Sequence, residues 1–235
     1  MKLEKITNSD LGPNRRRYDD ACGTAHGLEL IGERWALLVL RELLLGPKRF
    51  SDLRADLPGI SANVLTQRLE GLEASGLLVR RRLPPPVSAQ VYELTPWGYE
   101  VEPIVQTLGR WAARSPTHDP TLPISATSIM LSLRTMFSPE RARGLRASIG
   151  FRLGHETFLA ELEDGVMKLE RGDAWQGQAI FTGPPERIAA AIYGKVPFDQ
   201  LEPALVVTGD QALAEHFRAI FELPPKAEVP APNRK

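Results

Sequence analysis

Residues 50–95 constrain the fold of this chain more than any other stretch, because two helix signals precede two strand signals there. Ser51 predicts the start of a short helix that reaches about residue 57. Pro58-Gly59 then predicts a turn. Ser61 predicts the start of a longer helix to about residue 75, and Gly76 predicts its end.

Residues 77–83 and 90–95 have the composition of strands, and between them lies a tip with Pro84-Pro85-Pro86. Prolines lack the backbone donor, so this tip is stiff and forms few hydrogen bonds. Two helices followed by a two-stranded hairpin predict a winged helix-turn-helix. We therefore expect a domain that binds DNA.

The longer helix has two different faces. Its predicted buried stripe consists of leucines at helical spacing, Leu65, Leu69 and Leu72. The other side, near the N-terminus, carries hydroxyl and amide groups on Ser61, Asn63, Thr66 and Gln67. Such groups hydrogen-bond to base edges or phosphates in a major groove. The alternative for any one of them is a solvated polar surface.

Three consecutive arginines, Arg80, Arg81 and Arg82, lie on the first predicted strand. Strand alternation sends their side chains to both faces. Their charge suits phosphate contacts beside the groove. The alternative is an exposed edge strand that charge protects from pairing.

Helical segments precede this unit. Apolar residues recur on one face at Leu28, Ile31, Trp35 and Val39. Gly32 predicts a break, with a second helix over residues 33–45, and Gly46-Pro47 predicts its end.

A further helix is predicted over residues 96–114, with Thr95 as its cap and Pro103 bending it near its first turns. Its apolar side chains are Val101, Ile104, Leu108 and Trp111. We interpret this face as a dimer contact. Packing back onto the same domain is the alternative.

The second half predicts a small α+β domain. A helix is expected over residues 129–137, and Asp164-Gly165 is the strongest hairpin signal in the chain. Residues 179–181 and 205–208 predict strands, and residues 186–193 predict a helix. Asp210 predicts the cap of the last helix.

Composition and motifs narrow the function classes. The 235 residues carry no formal net charge and contain one cysteine, which suits a reducing compartment. No apolar stretch approaches the ~20 residues that span a bilayer, and no signal peptide is visible, so we expect a cytoplasmic protein without a membrane partner. No phosphate loop, nucleophile motif or metal spacing occurs, so we expect no catalytic residues, metal or cofactor.

Cys22 has two interpretations. A free cysteine at a helix start is usually a small buried apolar residue. A helix N-terminus also lowers the pKa of a thiol, which makes Cys22 a candidate redox sensor. Arg15, Arg16 and Arg17 likewise lie either in a solvated N-terminal arm or in an arm that contacts DNA.

The first half resembles the HxlR family of winged helix-turn-helix transcription regulators. The resemblance rests on Cys22, LELIGERWALLVLRELLLGPKRFSDL at 28–53, VLTQRLEGLEASGL at 64–77 and YELTPWG at 92–98. It implies a homodimer through the terminal helices and places Arg68 at the DNA. It also implies that a cysteine at the position of Cys22 can sense oxidants. The segment 84–90 departs from the family's wing.

The second half resembles the sterol-carrier-protein fold, through LEDGVMKL, QAIFTGPPERIAAAIYGK and LVVTGDQALAEHF. This resemblance implies an apolar tunnel for a lipid-like molecule. The candidate lining residues are Phe158, Leu162, Phe181, Ile192 and Phe217. The alternative is that they fill the core.

The sequence thus predicts an α+β protein with an arm (1–20), a DNA-binding and dimerisation domain (21–114), a linker (115–123), a sterol-carrier-like domain (124–223) and a disordered tail (224–235). The predicted function is a homodimeric transcription regulator that binds double-stranded DNA and responds to an apolar small molecule. Two alternatives are a thiol-based redox regulator and a lipid-binding or enzymatic protein whose winged helix serves dimerisation.

Overall fold

The computed structural model describes residues 18–85 and 88–228 of the chain. The predicted N-terminal arm therefore lies outside the described residues except for residues 18–20, and so does Pro86 at the tip. The helices of the first half are α1 (Gly23–Ile31), α2 (Ala36–Leu43), α3 (Phe50–Asp56), α4 (Ala62–Ala74), α5 (Pro96–Tyr99) and α6 (Glu102–Ala113).

The first two helices are separated where the sequence predicted, since α1 ends at Ile31 and Gly32 follows it. The second helix begins later than predicted, because Trp35 has a φ of 78° and takes the left-handed conformation. Leu28 is exposed while Val39 is fully buried, so the predicted apolar face is only partly used.

The start of α3 differs from the prediction. Its N-cap is Arg49, and Ser51 lies inside the helix, where its Oγ donates to Asp52 Oδ1 at 3.0 Å. The expected Ser51 cap is therefore wrong. By contrast, Ser61 caps α4 as predicted, and Gly76 follows that helix with a positive φ of 74°.

The wing consists of β1 (Leu78–Arg82) and β2 (Gln90–Leu94), which pair antiparallel with Arg80 opposite Tyr92. Lys48 forms an isolated antiparallel β-bridge to β2, because its backbone N–H and C=O both hydrogen-bond to Tyr92. Lys48, two residues before α3, is thus tied to strand β2 of the wing.

The predicted helix 96–114 is two helices. Thr95 Oγ1 accepts from the Gly98 N–H at 3.0 Å and caps the short α5, as expected. The chain then breaks at Glu100 and Val101, and α6 begins at Glu102 with Pro103 in its first turn. Proline fits a helix start and clashes in a helix interior, so it separates two helices instead of bending one.

The second half is an α+β domain with three helices and a five-stranded sheet among the described residues. Its helices are α7 (Ala126–Met136), α8 (Pro185–Ile192) and α9 (Gln211–Ala219). Its strands are β3 (Arg146–Leu153), β4 (Glu156–Glu163), β5 (Val166–Arg171), β6 (Ala179–Thr182) and β7 (Val206–Gly209), in the order β5-β4-β3-β6-β7. Strands β3 and β6 are parallel, and the other neighbours are antiparallel.

The predicted hairpin at Asp164-Gly165 is confirmed. Both residues have positive φ, 44° and 82°, which is the geometry of the tight turn that matches the twist of the flanking strands. Asp210 also caps α9 as predicted, with its Oδ1 accepting from the Leu213 N–H at 2.9 Å.

Residues 224–228 of the predicted disordered tail follow a defined path along the C-terminal end of α6. The Ala227 N–H donates to the Arg114 carbonyl at 2.7 Å, and Lys226 Nζ donates to the carbonyls of Ala113 and Ser115, both at 3.0 Å. Residues 229–235 lie outside the described part of the chain.

One hydrophobic core runs through both halves, from Leu40 and Leu69 in the winged helix to Phe151 and Phe217 in the sheet domain. The two halves therefore pack against each other. Among the residues that the structure describes, no helix is both long and apolar enough to cross a membrane.

Candidate DNA-binding surface

Helix α4 is fixed by its inner face and its cap. Leu65, Leu69 and Leu72 are at most 2% exposed, as predicted. Ser61 Oγ accepts from the Val64 N–H at 3.3 Å and satisfies one of the free donors at the helix start. The backbone of α4 is thereby held in one position against α2 and the wing.

The outer face of α4 is polar and open to solvent. Asn63, Thr66 and Gln67 are exposed, and their side chains make no hydrogen bond to any described residue. Their amide and hydroxyl groups are therefore free to donate and accept. A helix with such a face fits the width of a major groove.

Arg68 lies at the flank of this face and is half-buried. Its Nη2 contacts Glu33 Oε2 at 3.2 Å, while its buried Nε has no hydrogen-bond partner among the described residues. The loop between α1 and α2 therefore meets α4 here.

The three wing arginines are exposed but differ in their partners. Arg80 contacts Glu73 at 3.0 Å and lies over the Tyr92 ring, while Arg81 donates to Glu93 at 3.1 Å. Arg82 forms no ion pair with any described residue. Exposed ion pairs contribute only about 0–1 kcal/mol each. Phosphates can therefore replace these glutamates as partners of Arg80 and Arg81.

Sequence reasoning missed Arg34, which lies in the segment between α1 and α2. Its neighbour Glu33 contacts Arg68, and its own guanidinium lies 5.5 Å from the centre of the Trp35 ring. The contact between Glu33 and Arg68 comes from tertiary packing between a loop and a helix about thirty residues further on. No local sequence pattern indicates it.

Behind this surface, a buried ionic cluster joins the winged helix to the sheet domain. Lys48 is 3% exposed, and its Nζ contacts Glu42 at 2.9 Å, Asp56 at 2.5 Å and Glu156 at 3.3 Å. Arg171 pairs with Glu156 and also donates to the Leu45 carbonyl at 2.8 Å. Charges from both halves therefore neutralise one another at the junction.

The pKa directions follow from this arrangement. Burial acts to raise the pKa of Glu42, but Arg41 and Lys48 outweigh it and hold that pKa below its ordinary value. Burial acts to lower the pKa of Lys48, but Glu42 and Glu156 raise it overall. Asp56 differs, because burial raises its pKa and Lys48 offsets this only in part.

The residues predicted to line a tunnel are in the core instead. Phe158, Leu162, Phe181, Ile192 and Phe217 are at most 2% exposed. Phe181 and Phe217 pack ring against ring at 6.1 Å. A cavity of about 1130 Å³ does exist, but it lies between α6, α7 and α8, and none of the five lines it. The predicted pocket position is therefore corrected.

The predicted dimer residues do not all lie on one surface. Val101 is 5% exposed and packs into its own domain, whereas Ile104, Leu108 and Trp111 are exposed. The last three form an apolar stripe on the outside of α6.

Cys22 is exposed at the N-cap position of α1, so its interpretation as a buried apolar residue is wrong. The backbone N–H groups of Thr24 and Ala25 and the Thr24 hydroxyl hold the pKa of the Cys22 thiol below its ordinary value. Within the described ranges, no three His, Cys, Asp or Glu side chains are grouped to hold a metal ion.

The capped helix with a free polar face, the wing beside it and the supporting helices define a class. This is a winged helix-turn-helix, DNA-binding transcription regulator.

Comparison with known proteins agrees with this class. The HxlR-like helix-turn-helix family matches residues 30–119. An uncharacterised helix-turn-helix transcriptional regulator of Bacillus subtilis (strain 168), YkvN, is 42% identical over 94 residues, which are 39% of this chain and 77% of YkvN. The regulator YodB of the same organism is 35% identical over 83 residues, 35% of this chain and 74% of YodB. YtfH of Escherichia coli (strain K12) is 36% identical over 94 residues, 40% of this chain and 75% of YtfH.

Among solved structures, the reduced form of YodB from B. subtilis is 30% identical, with a TM-score of 0.38, and the match covers 43% of this chain and all of that one. On the sequence relationships, the chain belongs to the HxlR-like helix-turn-helix family.

Proposed function

We propose that this protein is a homodimeric regulator that binds an operator of two half-sites, one for each protomer. Asn63, Thr66 and Gln67 read bases in the major groove, and Ser61, Arg68 and the wing arginines Arg80, Arg81 and Arg82 hold phosphates. The observation that carries the proposal is the outer face of α4, whose polar side chains are exposed and free while its leucines are buried.

The dimer part of the proposal is supported by the stripe on α6. Ile104, Leu108 and Trp111 expose 52%, 44% and 70% of their surface on one helix. Large apolar side chains grouped on a surface mark an interaction site. A second copy presents the same stripe, and a two-fold contact is self-complementary.

Fluorescence anisotropy with fragments of the promoter of the protein's own gene tests the DNA-binding proposal. We expect a fragment that binds in competition with excess random DNA, and an affinity that falls steeply with salt. Gln67→Ala should weaken specific binding by about 1–3 kcal/mol and leave binding to random DNA unchanged.

Gln176→Ala is the matched control, because Gln176 is exposed on the sheet domain and undergoes the same chemical change. Equal losses of specific and random binding in Gln67→Ala would remove Gln67 from the base-reading set. The absence of a salt-sensitive complex with every promoter fragment would contradict the proposed function itself.

Redox control is a second candidate, favoured by the exposed Cys22 thiol and its lowered pKa. A thiolate is the form that oxidants attack. Under this candidate, peroxide changes the affinity of the wild-type protein for its operator, and Cys22→Ser abolishes that response. A response that persists in Cys22→Ser would exclude the thiol as the sensor.

We propose that the regulator responds to an apolar small molecule through its second half. We also propose that the second half has a sterol-carrier-protein-like fold, in which Phe158, Leu162, Phe181, Ile192 and Phe217 fill the core.

A further inference from the structure

The cavity between the two halves is the feature that the DNA-binding surface leaves unexplained. Its volume is about 1130 Å³, which is ample for a drug-sized molecule. Helix α6 forms one wall, α7 the floor and α8 the opposite wall, while the connecting residues 117–124 and Leu223 form the rim.

The walls of this cavity are mainly apolar. Val105 comes from α6, Ile129 from α7 and Ala190 from α8, and Val196 and Ile124 extend the same surface. The charged side chains at its edge, such as Asp119 and Arg187, are exposed to solvent. An anionic or cationic ligand would therefore find no buried counter-charge inside.

One polar pair faces this apolar space. Ser132 Oγ and Tyr193 Oη are 2.7 Å apart and share one hydrogen bond, and both residues line the cavity. Two hydroxyls have two protons, and their mutual bond uses one. Neither oxygen makes another side-chain hydrogen bond within the described part of the chain. A donor is therefore left for a ligand.

Burial raises the pKa of Tyr193, so its phenol stays protonated and neutral. The other hydroxyls of the floor are already engaged: Ser128 Oγ donates to Glu42 Oε1 at 3.3 Å, and Thr135 Oγ1 donates to the Leu131 carbonyl at 2.7 Å. The Ser132–Tyr193 pair is therefore the polar anchor of the cavity.

We propose that this cavity binds an uncharged, largely apolar small molecule whose carbonyl or hydroxyl oxygen accepts a hydrogen bond from the Ser132–Tyr193 pair. The apolar walls hold the body of the ligand by removing its surface from water. The single anchor orients it.

The position of the cavity connects it to the DNA-binding half. Ser128 lines the floor and also bonds to Glu42, and Glu42 pairs with Lys48, whose backbone is tied to the wing. On the other side, α6 has no buried residue, and its outer face is the stripe proposed for dimerisation.

A ligand in the cavity therefore fixes α6 relative to α7 from the inside. In a dimer built on α6, that changes the distance between the two copies of α4, provided the ligand prefers one arrangement. Binding in the cavity stands on the geometry alone, whereas this coupling to DNA rests on the proposed function.

Nile red is a suitable probe, because it is uncharged, apolar, carries a carbonyl oxygen and fluoresces when it leaves water. Titration of the full-length protein is expected to show one saturable site per chain. Tyr193→Phe removes only the phenol oxygen and should weaken binding about fivefold, the loss of one ordinary hydrogen bond. Tyr99→Phe, with an exposed tyrosine outside the cavity, is its control.

Gly109→Trp fills the cavity from α6. A Cβ at Gly109 meets no atom within 4 Å, so the new side chain enters open space and the helix is retained. Nile red affinity should fall at least about tenfold, since the ring occupies the apolar volume. Gly71→Trp is the matched control, because Gly71 is also helical with open space around it and lies outside the cavity.

Two results would overturn the binding proposal. One is Nile red affinity that is unchanged in both Gly109→Trp and Tyr193→Phe. The other is an occupied cavity in the free protein, shown by dye binding that appears only after removal of residues 229–235 or only below the concentration at which the protein dimerises. Unchanged affinity would place the dye outside the cavity, whereas dye binding that appears on truncation or on dilution would assign the cavity to the chain itself or to a second copy.

The coupling is measured separately, by operator anisotropy with and without saturating Nile red. A shift in DNA affinity of about fivefold or more in the wild type, absent in Gly109→Trp, is expected. Dye binding without any shift in operator affinity would overturn the coupling, while the proposal that the cavity binds a small molecule would stand. Dye binding by a protein that binds no promoter fragment would instead contradict the proposed function.

Discussion

Helices α4 and α6 have nearly the same length, 13 and 12 residues, but only α4 has buried residues. Helix α4 buries three leucines and presents polar groups outward. Helix α6 has no buried residue and presents Ile104, Leu108 and Trp111 to solvent. An amphipathic helix is stabilised by burying its apolar face. The first helix does so within the protomer, whereas the second leaves Ile104, Leu108 and Trp111 exposed.

The two helices also differ in how they are anchored to the rest of the molecule. The domain that carries α4 is joined to the sheet domain by the buried cluster around Lys48. Helix α6 is held to α7 by the partly buried pair of Glu102 and Arg134, at 2.7 Å. A buried ion pair restrains the elements that carry it, because separating the two charges would leave each one buried and unpaired. We therefore expect α4 to be fixed in the protomer and α6 to respond to whatever contacts it.

The largest effect is expected for Lys48→Met, which leaves Glu42 and Glu156 facing each other without the ammonium group. The loss should be about 3–5 kcal/mol in the free energy of unfolding, measured by urea denaturation. Arg146→Met is the control, because Arg146 pairs with Glu163 on the exposed surface and should change stability little. A small loss in Lys48→Met would mean that the junction does not anchor α4.

Leu69→Ala and Leu108→Ala compare the two helices directly with the same substitution. Leu69 is 1% exposed, so its truncation should cost about 2–5 kcal/mol of unfolding free energy. Leu108 is 44% exposed, and its truncation should cost less than about 1 kcal/mol in the monomer.

Sedimentation velocity over a concentration series is the second measurement for this pair. Leu108→Ala is expected to weaken self-association and leave the monomer folded, since its side chain lies in the exposed stripe. Equal self-association in the wild type and Leu108→Ala would contradict the role given to the outer face of α6.

Acid is expected to weaken the junction less than the loss of Lys48, because protonation removes a charge and leaves the side chain in place. The pKa of Glu42 is lowered in the fold, so its contribution to stability is present above the ordinary carboxyl pKa and is lost as pH falls through the lowered value.

Urea denaturation from about pH 7 to about pH 2 should therefore show a constant gap between the wild type and Glu42→Gln down to about pH 5, and a narrowing gap below the ordinary carboxyl pKa. Asp56 has a raised pKa, so its ionised form is disfavoured in the fold and acid restores stability at that position. A gap for Glu42→Gln that does not depend on pH would show that Glu42 is not ionised in the cluster.

The smallest effect is expected from single wing arginines. Arg82→Ala should weaken binding to all DNA sequences equally. It should also reduce the slope of log affinity against log salt concentration by about 1. Arg81→Ala should reduce it less, because Arg81 must exchange Glu93 for a phosphate. The same slope change in both variants would show that the Glu93 pair does not restrain Arg81.

Much of the fold was predictable from local patterns. The leucine spacing and the Ser61 cap located α4, and Asp164-Gly165 located the β4–β5 hairpin, because caps and turns depend on the conformation of a few neighbouring residues. The error at Ser51 has a local origin too, since several residues near a helix start can cap it. The split at Glu100 and Val101 was missed because a proline near a helix start is compatible with both a bend and a new helix.

The candidate site was predictable only in part. The outward side chains of α4 follow from helical periodicity, whereas the contact of Glu33 with Arg68 and the partners of the wing arginines do not. The five residues expected around a tunnel illustrate the same limit. An apolar residue at strand or helix spacing faces inward, but the pattern does not tell whether inward means a filled core or a cavity.

The sequence by itself determined the winged helix, the two faces of α4 and the α+β character of the second half, because each depends on short-range periodicity and capping. Only the tertiary structure decided what the two halves do together. Lys48 meets Glu156, and Ser128 meets Glu42, across long stretches of chain. Such contacts arise from packing a shared core, so they appear only when the chain is folded.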